Sequence, residues 1–309
     1  MKPTTKPATK PPIKHSSGFV AILGRPNAGK STLLNALLGQ KVAIVAPRPQ
    51  TTRTSIQGVL TLPEAQIVFV DTPGIHKSDT LLNKRMMDSV RSSTGADVVL
   101  FLVDTLAPFS EQDSQAVDLV KKVKAPALLI LNKVDKVAKP KLLTLIERYQ
   151  ALHAFAAYIP ISAMKGEGLD VLRKEIIERL PAGESLYPEE HVTDQPERFL
   201  AAEILREKIL RLMHQEVPHA TAVMVDSWED KGTLIRIAAT IYVERPGQKA
   251  IIIGAGGAGL KKIGTLARQE MEKVFQKKVF LQTFVKVLPH WREDPAFLSA
   301  VDWRNMAGM

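Results

Sequence analysis

A glycine-rich loop near the start of the chain has the residue types and spacing that bind phosphate groups. Residues 24–31 read G-R-P-N-A-G-K-S, which fits the pattern G-x-x-x-x-G-K-[ST], and they lie between an apolar run and a helical pattern. Glycines let backbone amides turn toward phosphate oxygens, and the N-terminus of the following helix adds partial positive charge. We expect Lys30 to reach the β- and γ-phosphates and Ser31 to bind Mg²⁺. The predicted nucleotide-binding residues of this loop are Gly24, Asn27, Ala28, Gly29, Lys30, Ser31 and Thr32.

Two later segments offer further groups for phosphate and metal. Asp71-Thr72-Pro73-Gly74 follows an apolar run, so Asp71 is predicted at the carboxyl end of a strand, where open α/β sheets bind ligands. We expect Asp71 to hold Mg²⁺ through water, and the Gly74 amide, with the segment to about residue 84, to respond to the γ-phosphate. The second segment, Pro49-Gln50-Thr51-Thr52-Arg53, offers hydroxyl groups in a region without strong periodicity, and we expect Thr52 to bind Mg²⁺ in the GTP state. Each segment alone is also compatible with an ordinary turn or polar loop. The predicted metal ligands are Ser31, Thr52 and Asp71, and the predicted catalytic group is Lys30, Thr52 and Gly74.

A third motif distinguishes between nucleotide bases. Residues 132–135 read N-K-V-D and again follow an apolar run. A carboxylate only accepts hydrogen bonds, so Asp135 can accept the N1 and N2 protons of guanine. Adenine would leave that carboxylate without a partner, which is costly in a buried site. We expect Asn132 to fix the loop and Lys133 to lie over the purine, and we expect Ser162-Ala163 to present a backbone amide to the base oxygen, with Met164 beside them.

Composition sets the size and class of the protein. The chain has 309 residues, enough for two domains, and it contains no cysteine, which removes disulfides and thiolate chemistry. No apolar run approaches the roughly 20 residues that span a bilayer. The formal net charge is +10, and residues 231–290 alone hold eleven Lys or Arg against three Glu. This concentration favours a polyanionic partner over a merely solvated surface.

The order of apolar runs predicts two domains. From residue 18 to residue 180, short apolar runs alternate with helical patterns, which predicts a parallel sheet covered by helices. Proline and glycine then interrupt the periodicity, and the order beyond them reads α-β-β-α-α-β. The predicted boundaries are a basic arm at 1–16, a first domain at 17–181, a linker at 182–196, a second domain at 197–290 and a tail at 291–309. The predicted strands of the first domain are Phe19–Leu23, Ile67–Val70, Val98–Val103, Ala127–Leu131 and Tyr158–Ile161, and its predicted helices are Lys30–Leu38, about Thr80–Ser93, Glu111–Lys122, Lys139–His153 and Leu169–Arg179.

A glycine cluster in the second domain matches two patterns. Residues 254–259 read G-A-G-G-A-G, which contains G-x-G-x-x-G, but the full preceding strand and the following acid of a dinucleotide site are missing. The same residues contain GxxG between helical segments, as in KH domains that bind nucleic acid. A glycine-rich helix start without a ligand remains a third reading. The predicted RNA-binding residues are Gly254, Ala255, Gly256, Gly257, Lys261 and Lys262.

The combination of these motifs resembles the Era family of bacterial ribosome-assembly GTPases. The resemblance implies an α/β P-loop GTPase domain with a mostly parallel sheet, followed by a smaller α+β type II KH domain. It implies slow hydrolysis of GTP to GDP with Mg²⁺, and binding to the 3′ end of small-subunit ribosomal RNA during assembly of the small ribosomal subunit. The segments that carry it are Gly24–Ser31, Gln50–Arg53, Asp71–Gly74, Asn132–Asp135, Ser162–Met164 and Gly247–Gly257.

Two positions depart from common patterns. Ala255 and Gly256 stand where the family usually has a lysine in its loop, so phosphate contact there is expected to be weaker or to come from neighbouring lysines. Ile75 stands where some GTPases carry a water-orienting glutamine. The resemblance implies catalysis without that glutamine. Related GTPases with an asparagine at the position of Asn27 use K⁺ to stabilise the developing charge, so assistance by K⁺ is a further hypothesis.

The resulting hypothesis is a cytoplasmic, monomeric GTPase switch that binds ribosomal RNA and not DNA. The resemblance also implies peripheral contact with the inner membrane. Two alternatives stay open: a non-enzymatic RNA-binding module with a structural nucleotide, and another P-loop enzyme such as a kinase, against which the N-K-V-D motif argues.

Overall fold

Buried apolar runs form a six-stranded sheet in the first domain of the computed structural model, which describes residues 15–48, 51–74, 81 and 95–305. The strand order is β2-β3-β1-β4-β5-β6; β2 is antiparallel to β3, and the other pairs are parallel. The carboxyl ends of five parallel strands therefore meet at one edge of the sheet. The strands are β1 (Ser16–Gly24), β2 (Ile56–Leu62), β3 (Ala65–Asp71), β4 (Val98–Asp104), β5 (Ala127–Asn132) and β6 (Ala157–Ile161).

Helices cover both faces of this sheet, and the side chains of β1 alternate between two cores. Val20 and Ile22 point into a core with α1 (Lys30–Leu38) and α4 (Leu169–Ile177). Ala21 and Leu23 point into the other core with α2 (Glu111–Val120) and α3 (Lys139–Leu152). The predicted α/β fold with a mostly parallel sheet is confirmed. The helix predicted over about residues 80–93 lies outside the described residues, apart from residue 81.

The antiparallel edge strand β2 was not predicted. Its sequence, I-Q-G-V-L-T-L, does not alternate apolar and polar residues. Gly58 lies inside it, and a Cβ there would approach a side-chain carbon of Leu38 to 2.6 Å, so any larger residue would force the leucine side chains of α1 to shift. A glycine in a short strand weakens the local signal because glycine contributes no β propensity.

The second domain has the predicted element order α-β-β-α-α-β. Its three-stranded sheet, β7-β8-β9, pairs β7 with β8 antiparallel and β8 with β9 parallel. The helices pack on one face of the sheet over an apolar core. The elements are α5 (Glu197–Leu212), β7 (Ala222–Asp230), β8 (Leu234–Val243), α6 (Pro246–Ile253), α7 (Ala258–Phe275) and β9 (Lys278–Val287).

No single helix within the described residues is long and apolar enough to cross a membrane. One bent pair, Pro246–Ile253 with Ala255–Phe275, passes a length and composition test when its members are taken together, and the two are inclined at 47°.

The segment predicted as a linker is bonded along the first domain. The Gln66 side chain is fully buried; its Oε1 accepts from the amides of Leu186 and Tyr187 at 2.7 and 2.8 Å. Its Nε2 donates to the Tyr187 carbonyl at 2.9 Å, and the Val59 amide donates to the Val192 carbonyl at 2.7 Å. This segment therefore fixes the point from which the second domain departs.

The described part of the tail packs onto the second domain and back to the first. It contains a short helix, α8 (Pro295–Ala300), preceded by Trp291, which is buried and donates to the Ala220 carbonyl at 2.9 Å. Trp303 donates to the Ser55 carbonyl of the first domain at 3.0 Å. Residue 290 is thus not the end of the folded structure.

Replacing Gln66 by Leu should loosen the 182–196 segment. The substitution leaves two backbone amides without acceptors, at about 1–3 kcal/mol each. We expect faster amide hydrogen exchange at residues 184–195, measured by mass spectrometry on the full chain. Gln115→Leu is the control, because Gln115 is exposed and bonds only to Glu111 on its own helix. Unchanged exchange in the Gln66 variant would contradict this role.

Candidate functional site

The phosphate loop connects β1 to α1 with the conformations that its glycines and asparagine permit. Gly24, Asn27 and Gly29 all have positive φ, at 149°, 64° and 100°. Lys30 is buried, and its Nζ donates to the carbonyls of Gly24 and Arg25 at 3.2 and 3.1 Å. Burial lowers the pKa of Lys30 to about 8, against the opposing charge of Asp71. The ammonium group of Lys30 therefore holds the loop closed through two backbone carbonyls.

The three predicted metal ligands lie together at the N-terminal end of α1. Ser31 Oγ donates to Asp71 Oδ2 at 2.6 Å and lies 2.8 Å from Thr52 Oγ1. Thr52 Oγ1 is 3.4 Å from Asp71 Oδ2. Asp71 is fully buried, and its Oδ1 has no hydrogen-bond partner among the described residues. Burial raises the pKa of Asp71 to about 6, although Lys30 and the two hydroxyls oppose the shift. The cluster therefore has an unused carboxylate oxygen and a charge only partly compensated.

Asn132 joins three loops at the carboxyl edge of the sheet. Its Nδ2 donates to the Ala28 carbonyl at 2.8 Å, and its Oδ1 accepts from the amides of Lys133 at 2.9 Å and Ala163 at 3.0 Å. A Cβ at Gly29 would collide with Asn132 Nδ2, so only glycine allows this approach. One buried side chain thus sets the spacing between the phosphate loop and both base-side loops.

The predicted base-side residues are brought together, with one difference. Lys133 Nζ donates to Asp104 Oδ2 at 2.7 Å and to the Asn27 carbonyl at 2.9 Å, so it also ties the motif to the phosphate loop. Within Ser162-Ala163, predicted to present a backbone amide to the base oxygen, the Ala163 amide donates to Asn132 Oδ1. A side-chain acceptor at the end of the neighbouring strand could not be inferred from the Ser-Ala dipeptide.

An open cleft of about 510 Å³ runs between these loops. Asp71, Ala28 and Ala163 are buried and are not among the residues that line it. Residues 44–48 and Arg211 also border the cleft, and neither was predicted. Arg211 belongs to α5 of the second domain, and nothing in the helical pattern distinguishes it from other exposed arginines. The predicted residues that line the cleft are Asn27, Gly29, Lys30, Ser31, Thr32, Thr52, Gly74, Asn132, Lys133, Asp135, Ser162 and Met164.

The segment that carries Thr52 is bonded to the second domain along much of its length. Lys41 pairs with Glu207, which is fully buried, and with Glu270. Arg211 donates to the Val45 carbonyl at 2.7 Å. Arg53, directly after Thr52, donates to the carbonyls of Thr221 at 2.7 Å and His219 at 3.1 Å and lies over the Trp291 ring. Movement of Thr52 would therefore be transmitted to the second domain.

The glycine cluster forms an open loop between α6 and α7. Gly254, Gly256 and Gly257 have positive φ at 71°, 56° and 82°. A Cβ at Gly254 would come within 2.9 Å of the Gly259 amide nitrogen, whereas one at Gly256 or Gly257 would meet no atom within 4 Å. Lys261 and Lys262 are exposed in the first turn of α7, and Ala255 is exposed in the loop. A helix precedes the cluster instead of a strand, which excludes the dinucleotide-binding reading.

Comparison with known proteins agrees with both halves of this description. A family model described as "50S ribosome-binding GTPase" matches residues 19–133, and one described as "KH domain" matches residues 216–292. GTPase Era of Syntrophus aciditrophicus is 48% identical over 289 residues, covering 93% of this chain and 94% of the relative. The chain belongs to the Era family of GTPases. GTPase Era of Geobacter metallireducens is 49% identical over 290 residues, covering 93% of this chain and 97% of the relative.

Solved Era structures share the whole two-domain arrangement. One is a crystal structure of Era in complex with MgGDPNP and nucleotides 1506–1542 of 16S ribosomal RNA; it is 40% identical, has a TM-score of 0.90 and covers 94% of this chain and 99% of its own. Another is a variant of Aquifex aeolicus Era bound to GDP·AlF4⁻, which is 41% identical, also with a TM-score of 0.90, and covers 93% of this chain and 99% of its own. The predicted Era family, GTPase class and KH-type second domain are confirmed.

Replacing Asn132 by Ala should separate the loops of the Era-type site. The change leaves the Ala28 carbonyl and two amides without partners, so we expect nucleotide affinity to fall by more than about a hundredfold. Isothermal titration with GDP would measure it. Asn35→Ala is a matched control, because Asn35 makes the same three kinds of bond, to the Ala43 carbonyl and the amides of Val42 and Ala43. Equal losses in both variants would contradict the specific role of Asn132.

Proposed function

We propose that this chain is a GTPase switch that binds GTP and GDP with Mg²⁺ and engages small-subunit ribosomal RNA through its second domain. The observation that carries the nucleotide half is the cluster of Ser31, Thr52 and Asp71 beside the phosphate loop. Hydroxyl and carboxylate oxygens suit Mg²⁺, and the unpaired Asp71 Oδ1 fits a cation or its bound water. Bound Mg²⁺ would neutralise phosphate charge during hydrolysis.

The loop residues have complementary roles in this proposal. Lys30 exchanges its two carbonyl partners for phosphate oxygens, whose negative charge favours the protonated amine over the neutral form that burial favours. Ser31 and Thr52 turn their hydroxyl oxygens toward the metal, and Asp71 accepts from its water. The Gly74 backbone packs against Pro26, since a Cβ at Gly74 would come within 2.8 Å of it, and its amide is proposed to respond to the γ-phosphate. Hydrolysis then releases phosphate and frees the Thr52 segment.

Guanine selection is assigned to Asp135, with Asn132 holding its loop. Asp135 borders the same cleft as the phosphate loop. Its carboxylate would accept the N1 and N2 protons of guanine, and an adenine base would offer neither. Lys133 lies between the two loops in a position to cover the purine.

The proposed RNA binding rests on the open GxxG loop and on the similarity to a solved Era structure that contains RNA. Gly254–Gly257 provide backbone that nucleic acid can approach closely, and exposed Lys261 and Lys262 supply positive charge. The solved Era that is 40% identical holds a segment of 16S RNA. We infer the 3′ end of that RNA as the partner, with a role in assembly of the small ribosomal subunit and no role on DNA. One matching family model carries a 50S description, but that model covers only residues 19–133 of the GTPase domain.

The contacts from residues 41–48 and 51–53 to the second domain support coupling between nucleotide and RNA. A change at Thr52 would reach Thr221 and Trp291 through Arg53. Further parts of the proposal are a monomeric state, a cytoplasmic location with peripheral contact to the inner membrane, and K⁺ assistance at Asn27, which borders the cleft.

Replacing Asp135 by Asn tests base selection. The amide turns one acceptor into a donor, so GTP should bind at least tenfold more weakly while xanthosine triphosphate binds more tightly. Competition against a fluorescent nucleotide measures both. An unchanged preference for guanine would refute the assigned contact, and Asp118→Asn, at an exposed position on α2, should leave the preference intact.

Replacing Lys261 and Lys262 by Ala tests the RNA surface. For single-stranded RNA, log affinity falls by about 0.7 per phosphate contact per log unit of salt. The double variant of the full chain should bind more weakly and lose up to about 1.4 from that slope, as measured by fluorescence anisotropy across salt concentrations. Lys139→Ala/Lys141→Ala, on exposed α3 positions, should behave as wild type. A slope unaffected by the Lys261/Lys262 variant would assign phosphate binding elsewhere.

A further inference from the structure

The outward face of β9 carries a symmetrical stripe of aromatic and basic side chains. Along this strand, Val279 and Val285 point into the core of the second domain. The alternate residues are all exposed and point away from the helices. In order, they are Lys278, Phe280, Gln282, Phe284 and Lys286, and we refer to them as the β9 stripe.

The two phenylalanines of the β9 stripe are unusually exposed for their size. Phe280 and Phe284 are each 51% exposed. The strand lies at the edge of its sheet, where an exposed apolar run favours aggregation unless it has a use. The described tail reaches this face at its Lys286 end, where Phe297 packs edge-on against Tyr242, the β8 residue paired with Lys286, at 4.9 Å. The β9 stripe is therefore an apolar surface within a polar rim.

Charge on this face is distributed toward the β9 edge. Lys278 and Lys286 flank the phenylalanines, and Arg236 of the neighbouring strand lies over the Phe280 ring at 5.9 Å. No acidic residue lies on β9. The acids of this face, Asp226 and Glu229, are on β7, two strands away, where Asp226 accepts from Thr240 and Glu229 pairs with Lys231. The β9 edge of this face is thus cationic, and the acids lie on its β7 side, where Glu229 is paired with Arg236.

We propose that the β9 stripe is a second single-stranded RNA site, on which bases stack against Phe280 and Phe284. Exposed aromatic rings on a sheet, flanked by cations, are the arrangement on which proteins stack unpaired bases. Four strand residues separate the rings by about 13 Å, well beyond the roughly 3.4 Å between stacked bases. Each ring therefore takes its own base, and Gln282 lies between them with an amide that can pair with a base edge.

The inference rests on the proposed RNA binding of this domain and extends its footprint. Helix α7, which carries Lys261 and Lys262, packs directly behind the stripe, since Thr283 lies 3.8 Å from the Cβ position of Gly264. An RNA strand held at the GxxG loop has only the edge strand to pass before it reaches the outer face.

The test compares RNA lengths on the full chain. The probe is a fluorescent RNA with the sequence of nucleotides 1506–1542 of 16S ribosomal RNA, the segment held by the solved Era, together with nested truncations from each end. We expect Phe280→Ala/Phe284→Ala to weaken the long RNA by about thirtyfold or more, at fivefold or more for each ring. The shortest RNA that wild type still binds should be unaffected. Lys261→Ala/Lys262→Ala should weaken both lengths.

Conservative variants separate stacking from general damage. Phe280→Trp/Phe284→Trp should retain affinity for the long RNA and show tryptophan quenching with the long RNA only. Leu143→Ala, which truncates a side chain that is 63% exposed in the first domain, is the control for loss of surface apolar area. Both phenylalanines are exposed, so the melting temperatures of all variants should match wild type.

The outcomes distinguish the proposed β9 stripe site from the proposed RNA binding on which it rests. Equal affinity of wild type and the Phe→Ala variant for every length would overturn the β9 stripe as an RNA site and leave GxxG binding intact. Failure of wild type to bind any length would overturn RNA binding as a whole. A wild-type dimer that the Phe→Ala variant converts to monomer in analytical ultracentrifugation would assign the face to a second copy of the chain instead.

Discussion

The hydrogen bonds of Asn132 are the constraint on which the nucleotide site depends. The parallel sheet places several loops at one edge, but a sheet alone leaves the loops free to drift relative to one another. Asn132 removes that freedom because both ends of its amide are used, one by the phosphate loop and the other by the two base-side loops. Gly29 makes the approach possible, and Lys133 repeats the link from the protein surface. The distance between a bound base and a bound phosphate is thereby set before any ligand arrives, which reduces the ordering cost of binding.

A second constraint fixes the segment that carries Thr52. Glu207 is fully buried, yet Lys41, Lys208 and Arg211 all reach its carboxylate. Such clusters contribute little net stability because desolvation offsets attraction, but removing one member is costly. Their geometry can hold an interface in one arrangement. Residues 41–48 and 51–53 are therefore tied to the second domain by charges and carbonyl contacts that a shift at Thr52 would strain. Thr52, at the end of this segment, lies within hydrogen-bond distance of Ser31 in the cluster of predicted metal ligands.

Local pattern predicted much of this architecture, and long-range contact accounts for what it missed. Five strands and the placement of Lys30, Ser31, Asp71 and Asn132 follow from apolar runs that end in motifs, since each motif is contiguous in sequence. The edge strand β2, which contains Gly58, was not predicted because its packing against α1 cannot be inferred from its own residues. The bond from the Ala163 amide to Asn132 was not predicted because the two residues lie 31 positions apart in the sequence. Arg211 was missed for the same reason: its importance comes from the domain that it faces.

The loop of the second domain shows how a missing side chain shifts binding to its surroundings. In the proposed RNA site, Ala255 and Gly256 would offer an RNA strand little besides backbone, at a bend where the Cβ positions of Gly256 and Gly257 are open. Backbone amides position phosphates well but contribute less long-range attraction than a lysine, so the attraction must come from nearby cations. Lys261 and Lys262 lie on one side of the domain, and Lys278, Lys286 and Arg236 lie on the other, separated by the edge of a three-stranded sheet. Because the cations lie on both sides of this edge, strong binding would require an RNA long enough to reach both. The domain would therefore bind a single-stranded end more tightly than a short loop.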